Sequence, residues 1–168
     1  ASGLLIRPGR GQRARWARTP TENLPAFDHE AGFTAEICMR VTRSTATVRG
    51  IDFELYAAGS RYFITVTKTG IYAYDGAFRE LAEGLDNSSA QHTYRLAVQH
   101  DGQAQVFRDG SRLGIVEPHQ SRDIASNRYL QWGEGAGGSE AEAVVTHVAY
   151  DTTGPYAPVG SGGRTEAD

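Results

Sequence analysis

Residues 93–116 read TYRLAVQHDGQAQVFRDGSRLGIV. Tyr94, Leu96 and Val98 alternate with polar residues, Asp101-Gly102 interrupts, and a second alternating run ends at Asp109-Gly110. Apolar residues at every second position bury one face of a strand, and Asp-Gly tolerates the positive φ angles of a tight hairpin turn. The stretch therefore predicts consecutive antiparallel strands.

The same alternation recurs on both sides. Phe33, Ala35, Ile37, Met39 and Val41 share one strand face, with Thr34, Glu36, Cys38 and Arg40 on the other. Ile51, Phe53, Leu55 and Ala57 repeat the pattern, as do Tyr62, Ile64 and Val66. Residues 71–74 follow the turn Lys68-Thr69-Gly70, with Gly70 expected in the left-handed position of a short hairpin loop. Strands are also expected over residues 112–116, 128–132 and 143–150, the last with Val144, Thr146, Val148 and Tyr150 on one face. Leu4 to Ile6 and the Arg-rich stretch around Trp16 are candidate edge strands, and Pro20 and Pro25 mark a connector. Residues 78–85 alone allow a helical turn, ended by Gly84 and Asp86-Asn87-Ser88-Ser89. About nine to eleven short strands with turn signals every 8 to 12 residues predict an all-β fold, a jelly-roll-like sandwich of two antiparallel sheets. A closed barrel is the competing architecture, and the chain length favours the sandwich.

A chain of 168 residues suits one domain. Residues 1–32 are expected to supply edge strands and a connector, 33–158 the sandwich core, and 159–168, rich in glycine and polar residues, a flexible tail. The net charge of −3 supplies no global positive field, so nucleic acid is not an expected partner. Arg7, Arg10, Arg13, Arg15 and Arg18 offer contacts to an anionic partner such as nucleic acid or an acidic glycan, but the favoured reading is a solvated edge strand whose charges discourage edge-to-edge pairing. The lone Cys38 rules out an intrachain disulfide, the five histidines lack metal-ligand spacing, and no apolar run is long enough to span a bilayer.

Tyr94-Arg95-Leu96-Ala97-Val98, Asp101-Gly102, Val106-Phe107-Arg108-Asp109-Gly110 and Leu113-Gly114 together resemble the concanavalin A-like lectin/glucanase superfamily, in its laminin-G-like branch. Trp132-Gly133-Glu134-Gly135, residues 144–150 and Gly154-Pro155-Tyr156-Ala157-Pro158 are similar to the closing strands of the same modules. The resemblance covers residues 33–158 and rests on turn and core positions, which speak to fold more than to function. It implies a secreted, periplasmic or cell-surface protein whose partner is a glycan or polysaccharide, and a catalytic domain in the same or a neighbouring chain. It also implies structural calcium joining an N-terminal acidic loop to the last strand, with Asp28, Glu30 and Asp151 as ligands.

Retaining glucanases of this superfamily use a strand motif E-x-D-x-x-E that sets two carboxyl groups ~5 Å apart. The nearest approach here is Gly50-Ile51-Asp52-Phe53-Glu54, with glycine where the nucleophile would stand. Asp52 and Glu54 share a strand face, as the solvent side of any amphipathic strand does. Residues 68–72 resemble the Y-F-K-x-G-x-Y-x-Q segment of an alginate lyase family, but Tyr74 replaces the glutamine and no Q-I-H motif exists. Arg164-Thr165-Glu166, similar to that family's arginine motif, lies at the wrong end of the chain.

Sugar sites on β-sandwiches combine an aromatic platform with planar polar groups, because one sugar face is C–H-rich and its rim is hydroxyls. The candidates are Tyr62, Tyr72, Tyr74, Tyr129 and Trp132, with Glu36, Arg40, Asp52 and Glu54 as polar partners. Tyr62, alternating with Ile64 and Val66, is equally placed as a core residue, and so is Trp132 beside Leu130. The expected function is a non-catalytic carbohydrate-binding or accessory module of an exported carbohydrate-active protein. The alternatives are a glycoside hydrolase or polysaccharide lyase built on Asp52 and Glu54 or on Tyr72, and a protein-adhesion domain.

Overall fold

A computed structural model describes residues 3–8, 14–18, 31–57, 59–120, 129–135 and 140–156. The strands are β1 (Leu4–Ile6), β2 (Ala14–Arg18), β3 (Phe33–Ser44), β4 (Ile51–Ala57), β5 (Ser60–Val66), β6 (Gly70–Tyr74) and β7 (Phe78–Glu83). They continue with β8 (His92–Val98), β9 (Ala104–Arg108), β10 (Ser111–Val116), β11 (His119–Gln120), β12 (Tyr129–Glu134) and β13 (Ala141–Asp151). Two antiparallel sheets result. A back sheet runs β1-β13-β3-β8-β9-β10 and a front sheet β2-β12-β4-β5-β6-β7, with β11 added to β5 at residues 60 and 61, beyond its pairing with β6.

The sandwich follows from the alternation. Phe33, Ala35, Ile37, Met39 and Val41 of the back sheet meet Ile51, Phe53, Leu55, Tyr62, Ile64, Val66 and Ile71 of the front sheet in one buried cluster. The Asp109-Gly110 hairpin joins Arg108 to Ser111 with φ of 49° and 84° at its two central residues, the doubly positive geometry that matches strand twist. Both N-terminal edge strands form, since β1 pairs with β13 and β2 lies at the end of the front sheet. Arg7 there meets Glu142 at 3.2 Å.

Three local expectations are corrected. Residues 78–83 are a strand, because Tyr74↔Phe78 through Gly70↔Glu83 pair across the β6–β7 hairpin; no helix occurs among the described residues. Gly70 is not left-handed; a Cβ there would come within 2.8–3.0 Å of the outer atoms of the Tyr72 ring, which would have to shift to admit a side chain. In β13 a register shift between Val145 and His147 changes the phase of the strand. Ala143 and Val145 join the core, Val144 does not, and beyond the bulge Val148 and Tyr150 pack against the core again.

A buried asparagine ties the two sheets together at one end. Asn87, fully buried in the β7–β8 connection, donates through Nδ2 to the carbonyls of Thr67 (2.9 Å) and Gly70 (3.4 Å) in the β5–β6 hairpin. Its Oδ1 accepts from the Tyr94 hydroxyl and from Arg108 Nε, both at 2.9 Å. Its backbone accepts from Val41 N of β3 and donates to the Lys68 carbonyl.

Candidate functional site

Once the core takes residues 51, 53 and 55 of β4, 62, 64 and 66 of β5, and 71 and 73 of β6, the alternate side chains must form the outer face of the front sheet. These are Asp52, Glu54 and Tyr56, then Arg61, Phe63 and Thr65, then Tyr72 and Tyr74. Register sets Glu54 opposite Phe63 and Tyr56 opposite Arg61, so Arg61 reaches Glu54 diagonally.

Arg61 is the centre of this face. Its Nε and one terminal nitrogen donate to Glu54 Oε2 at 3.0 and 2.9 Å. Its guanidinium lies 4.3 Å from the Phe63 ring centroid, 5.5 Å from that of Tyr74 and 5.7 Å from that of Tyr56. A weakly hydrated planar cation suits such stacking. Glu54 is 0% exposed, and the Tyr56 hydroxyl (2.7 Å) and Gln131 Nε2 (3.4 Å) also donate to it. Phe63, Tyr74 and Phe78 form a trio of rings with centroids 5.1–6.0 Å apart, two pairs edge-to-face and Phe63–Tyr74 tilted, and His119 of β11 abuts Tyr74 at 5.6 Å. Arg49 covers Phe78 at 5.6 Å. Arg49, Asp52, Arg61, Phe63, Tyr74 and Phe78 line a depression of about 190 Å³. Tyr56 and Phe63 are packed under it at 6% and 5% exposure, so the ring surface open to C–H groups is that of Tyr74 and Phe78, beside charged planar groups that bond hydroxyls.

Of the residues singled out from sequence, Asp52, Glu54 and Tyr74 meet here. Tyr72 is on the same face but lines a different hollow, with Thr69 and Glu83. Its hydroxyl donates to Glu83 Oε1 at 2.8 Å, and burial, reinforced by that carboxylate, pushes it up to about 12. Tyr62 belongs to the core, 0% exposed, its hydroxyl donating to the Gly102 carbonyl at 2.9 Å. A ring without exposed surface gives a sugar no platform. Trp132 also points between the sheets, packing on the core and lining an edge cleft with Leu130, Val145 and Val148. Glu36 and Arg40 lie on the outer face of the opposite sheet, where Glu36 is paired with Arg95. Arg40 Nε is buried there without a hydrogen-bond partner among the described residues. The side chain of Tyr129 lies outside the described residues, as do Asp28 and Glu30.

Asp151, the remaining calcium candidate, accepts from Thr153 Oγ1 and N at 2.7 and 2.8 Å, which holds its carboxyl below the usual range. Among the described residues no three His, Cys, Asp or Glu converge on a metal position. Gly50 explains the incomplete glucanase motif. Its N–H donates to Thr65 Oγ1, and a Cβ there would stand 2.0 Å from the Val66 carbonyl oxygen, so this backbone admits no carboxylate side chain at residue 50.

No family profile matches the chain, and no curated protein matches it by sequence. Solved structures do match. A carbohydrate esterase from Shiga toxin-encoding bacteriophage phi24B superposes with a TM-score of 0.62 at 14% identity, over 90% of this chain and 81% of that one. The binding domain of botulinum neurotoxin DC, in complex with SialylT, gives 0.57 at 7% identity over 89% of this chain and 39% of that one. An alginate lyase from Pseudomonas aeruginosa gives 0.51 at 14% identity over 84% and 74%. At these identities the likeness establishes the fold, a jelly-roll sandwich of two antiparallel sheets.

Proposed function

We propose that this chain is a non-catalytic carbohydrate-binding module, of the laminin-G-like branch, serving an exported carbohydrate-active protein. The observation that carries the reading is the outer face of the front sheet, where Arg61 is stacked among Phe63, Tyr74 and Tyr56 above a buried Glu54. On an ordinary solvent face such side chains would be dispersed and hydrated; here they are packed beneath an open depression. The names of the structural neighbours, a carbohydrate esterase and a lyase acting on alginate, support the ligand class.

Three features favour binding over turnover. Gly50 leaves no room for the first carboxylate of the glucanase motif, and Glu54 has its oxygens engaged by Arg61, Tyr56 and Gln131. Tyr72, the lyase candidate, hydrogen-bonds Glu83 and is displaced toward about 12, away from the range of a base working near neutrality.

A glycan array is the test. Tyr74→Ala and Phe78→Ala are expected to weaken the best hit by about tenfold each, the value of one lost ring contact, with intact folding. An array without hits, with protein captured instead, would support an adhesion domain. Turnover of any polysaccharide, abolished by Glu54→Gln, would replace the binding reading with the catalytic one. Calcium shared by Asp28 or Glu30 with Asp151 would raise the melting temperature by several degrees in millimolar-range calcium relative to chelator. Identical melting curves remove that cofactor.

A further inference from the structure

The outer face of the back sheet carries a second constructed surface. Register places Ala149, Glu36 and Arg95 in one row across β13, β3 and β8, with Asp151 and Thr34 in the next. Arg95 donates to Glu36 Oε2 through Nε at 2.8 Å and a terminal nitrogen at 2.6 Å. The small Ala149 leaves the floor beside this pair open, and together with Thr34, Asp151 and Tyr156 these residues line a depression of about 360 Å³. That size falls within the ~300–1,000 Å³ of small-molecule sites.

Tyr156 is the decisive residue. It is 49% exposed, against complete burial of Phe33, Phe53, Tyr62, Tyr94 and Phe107. Yet it is pinned at three points. Its N–H donates to Thr34 Oγ1 (2.7 Å), its carbonyl accepts from Arg95 (3.1 Å), and its hydroxyl meets Thr153 Oγ1 (2.8 Å). The close approach of its ring to Gly154 completes the seat, since a Cβ there would lie 3.2 Å from Tyr156 Cζ. An aromatic ring fixed in place while half-exposed adds little to the core. It is preorganised for a flat apolar ligand face, with the side-chain entropy of binding already spent.

We infer that this depression is a second carbohydrate subsite, taking one neutral pyranose with its C–H face on Tyr156 and its hydroxyls on the Glu36–Arg95 pair. The inference rests on the carbohydrate reading above but on the opposite face of the sandwich. Charge selects the sugar class. Arg95 is matched by Glu36, and Asp151 has no cationic partner among the described residues, so the described lining is net anionic and disfavours uronic and sialic acids.

The test is a two-dimensional NMR titration of the intact chain, following the Arg95 Nε–H and the Tyr156 and Gly154 amides. The probes are oligosaccharides of glucose, xylose, mannose and galactose, with oligogalacturonate as the acidic counterpart. At least one neutral probe is expected to shift these signals. Tyr156→Ala should weaken that binding by about tenfold and Tyr156→Phe by less than about threefold, because the ring is retained. Tyr74→Ala should leave it unchanged. Silence of these signals with every neutral probe, or an equal response to oligogalacturonate, overturns the inference. Binding lost only in Tyr74→Ala leaves the front-sheet reading standing alone, and binding lost only in Tyr156→Ala does the reverse.

Discussion

Arg61→Met is expected to destabilise the protein by about 3–5 kcal/mol, the cost of stripping one partner from a buried ion pair. Glu54 has no exposed surface, whereas the Arg61 side chain retains 18% exposure. The two halves of the pair are therefore unequal. Removing the cation takes both Arg61 hydrogen bonds and the counter-charge from a carboxylate buried under the sheet face, which the neutral Tyr56 hydroxyl and Gln131 amide do not replace. Removing the anion instead, by Glu54→Gln, leaves a guanidinium that keeps its ring faces and some water, at about 1–2 kcal/mol. The double variant Arg61→Met/Glu54→Gln should recover most of the loss, since a neutral amide needs no counter-charge. In a chain of this length the single Arg61 variant should melt about 10 °C lower. Denaturant unfolding of the four proteins gives the cycle directly. A cost below about 1 kcal/mol for Arg61→Met, or a double variant no better than that single, would mean that Glu54 is effectively hydrated.

The pair also shows what the sequence makes legible. The alternation that puts Ile64 and Val66 inside also puts Tyr62 inside and Phe63 outside. Followed strictly, it removes Tyr62 from the candidate ligand residues and marks Arg61 as a neighbour of Glu54 on the outer face. Other features depend on pairing and cannot be read locally. The extra residue in β13 reverses its phase because the partner strand β3 sets the register on both sides of it. Residues 78–83 become a strand because β6 offers an edge. Arg49, Phe78 and His119 come to the site from three separate segments, and only sheet order brings them together. Trp132 illustrates the same limit. Its neighbours Leu130 and Gly133 fit either face, and the pairing with Phe53 decides for the interior.

Asn87→Leu tests the other polar centre, and its cost is expected to be about 3–5 kcal/mol, because each buried donor or acceptor left without a partner costs about 1–3 kcal/mol. The shape is conserved, so no cavity contributes. The hydroxyl of Tyr94, 0% exposed, loses its acceptor, as does Arg108 Nε, and the Thr67 carbonyl loses its side-chain donor. Gly70 O is less affected, since Thr67 N and Oγ1 also reach it. Burial already holds the Tyr94 hydroxyl well above its ordinary range, so it cannot adapt by ionising. Asn87→Asp separates the two sides of the hub. Its carboxylate still accepts from Tyr94 and Arg108, but it turns an oxygen toward the Thr67 and Gly70 carbonyls where a donor stood. Burial and those carbonyls favour the protonated carboxyl, which can donate to Thr67, and they are expected to outweigh the opposing pull of the Arg108 guanidinium toward the charged form. The deficit of this variant should therefore shrink as pH falls from about 8 to about 5, opposite to the usual acid destabilisation. Urea unfolding of wild type and both variants across that range measures it. A flat difference between Asn87→Asp and wild type would show that the hairpin carbonyls do not depend on Asn87, and that the β5–β6 hairpin carrying Phe63 and Tyr74 is held by its own strand pairing alone.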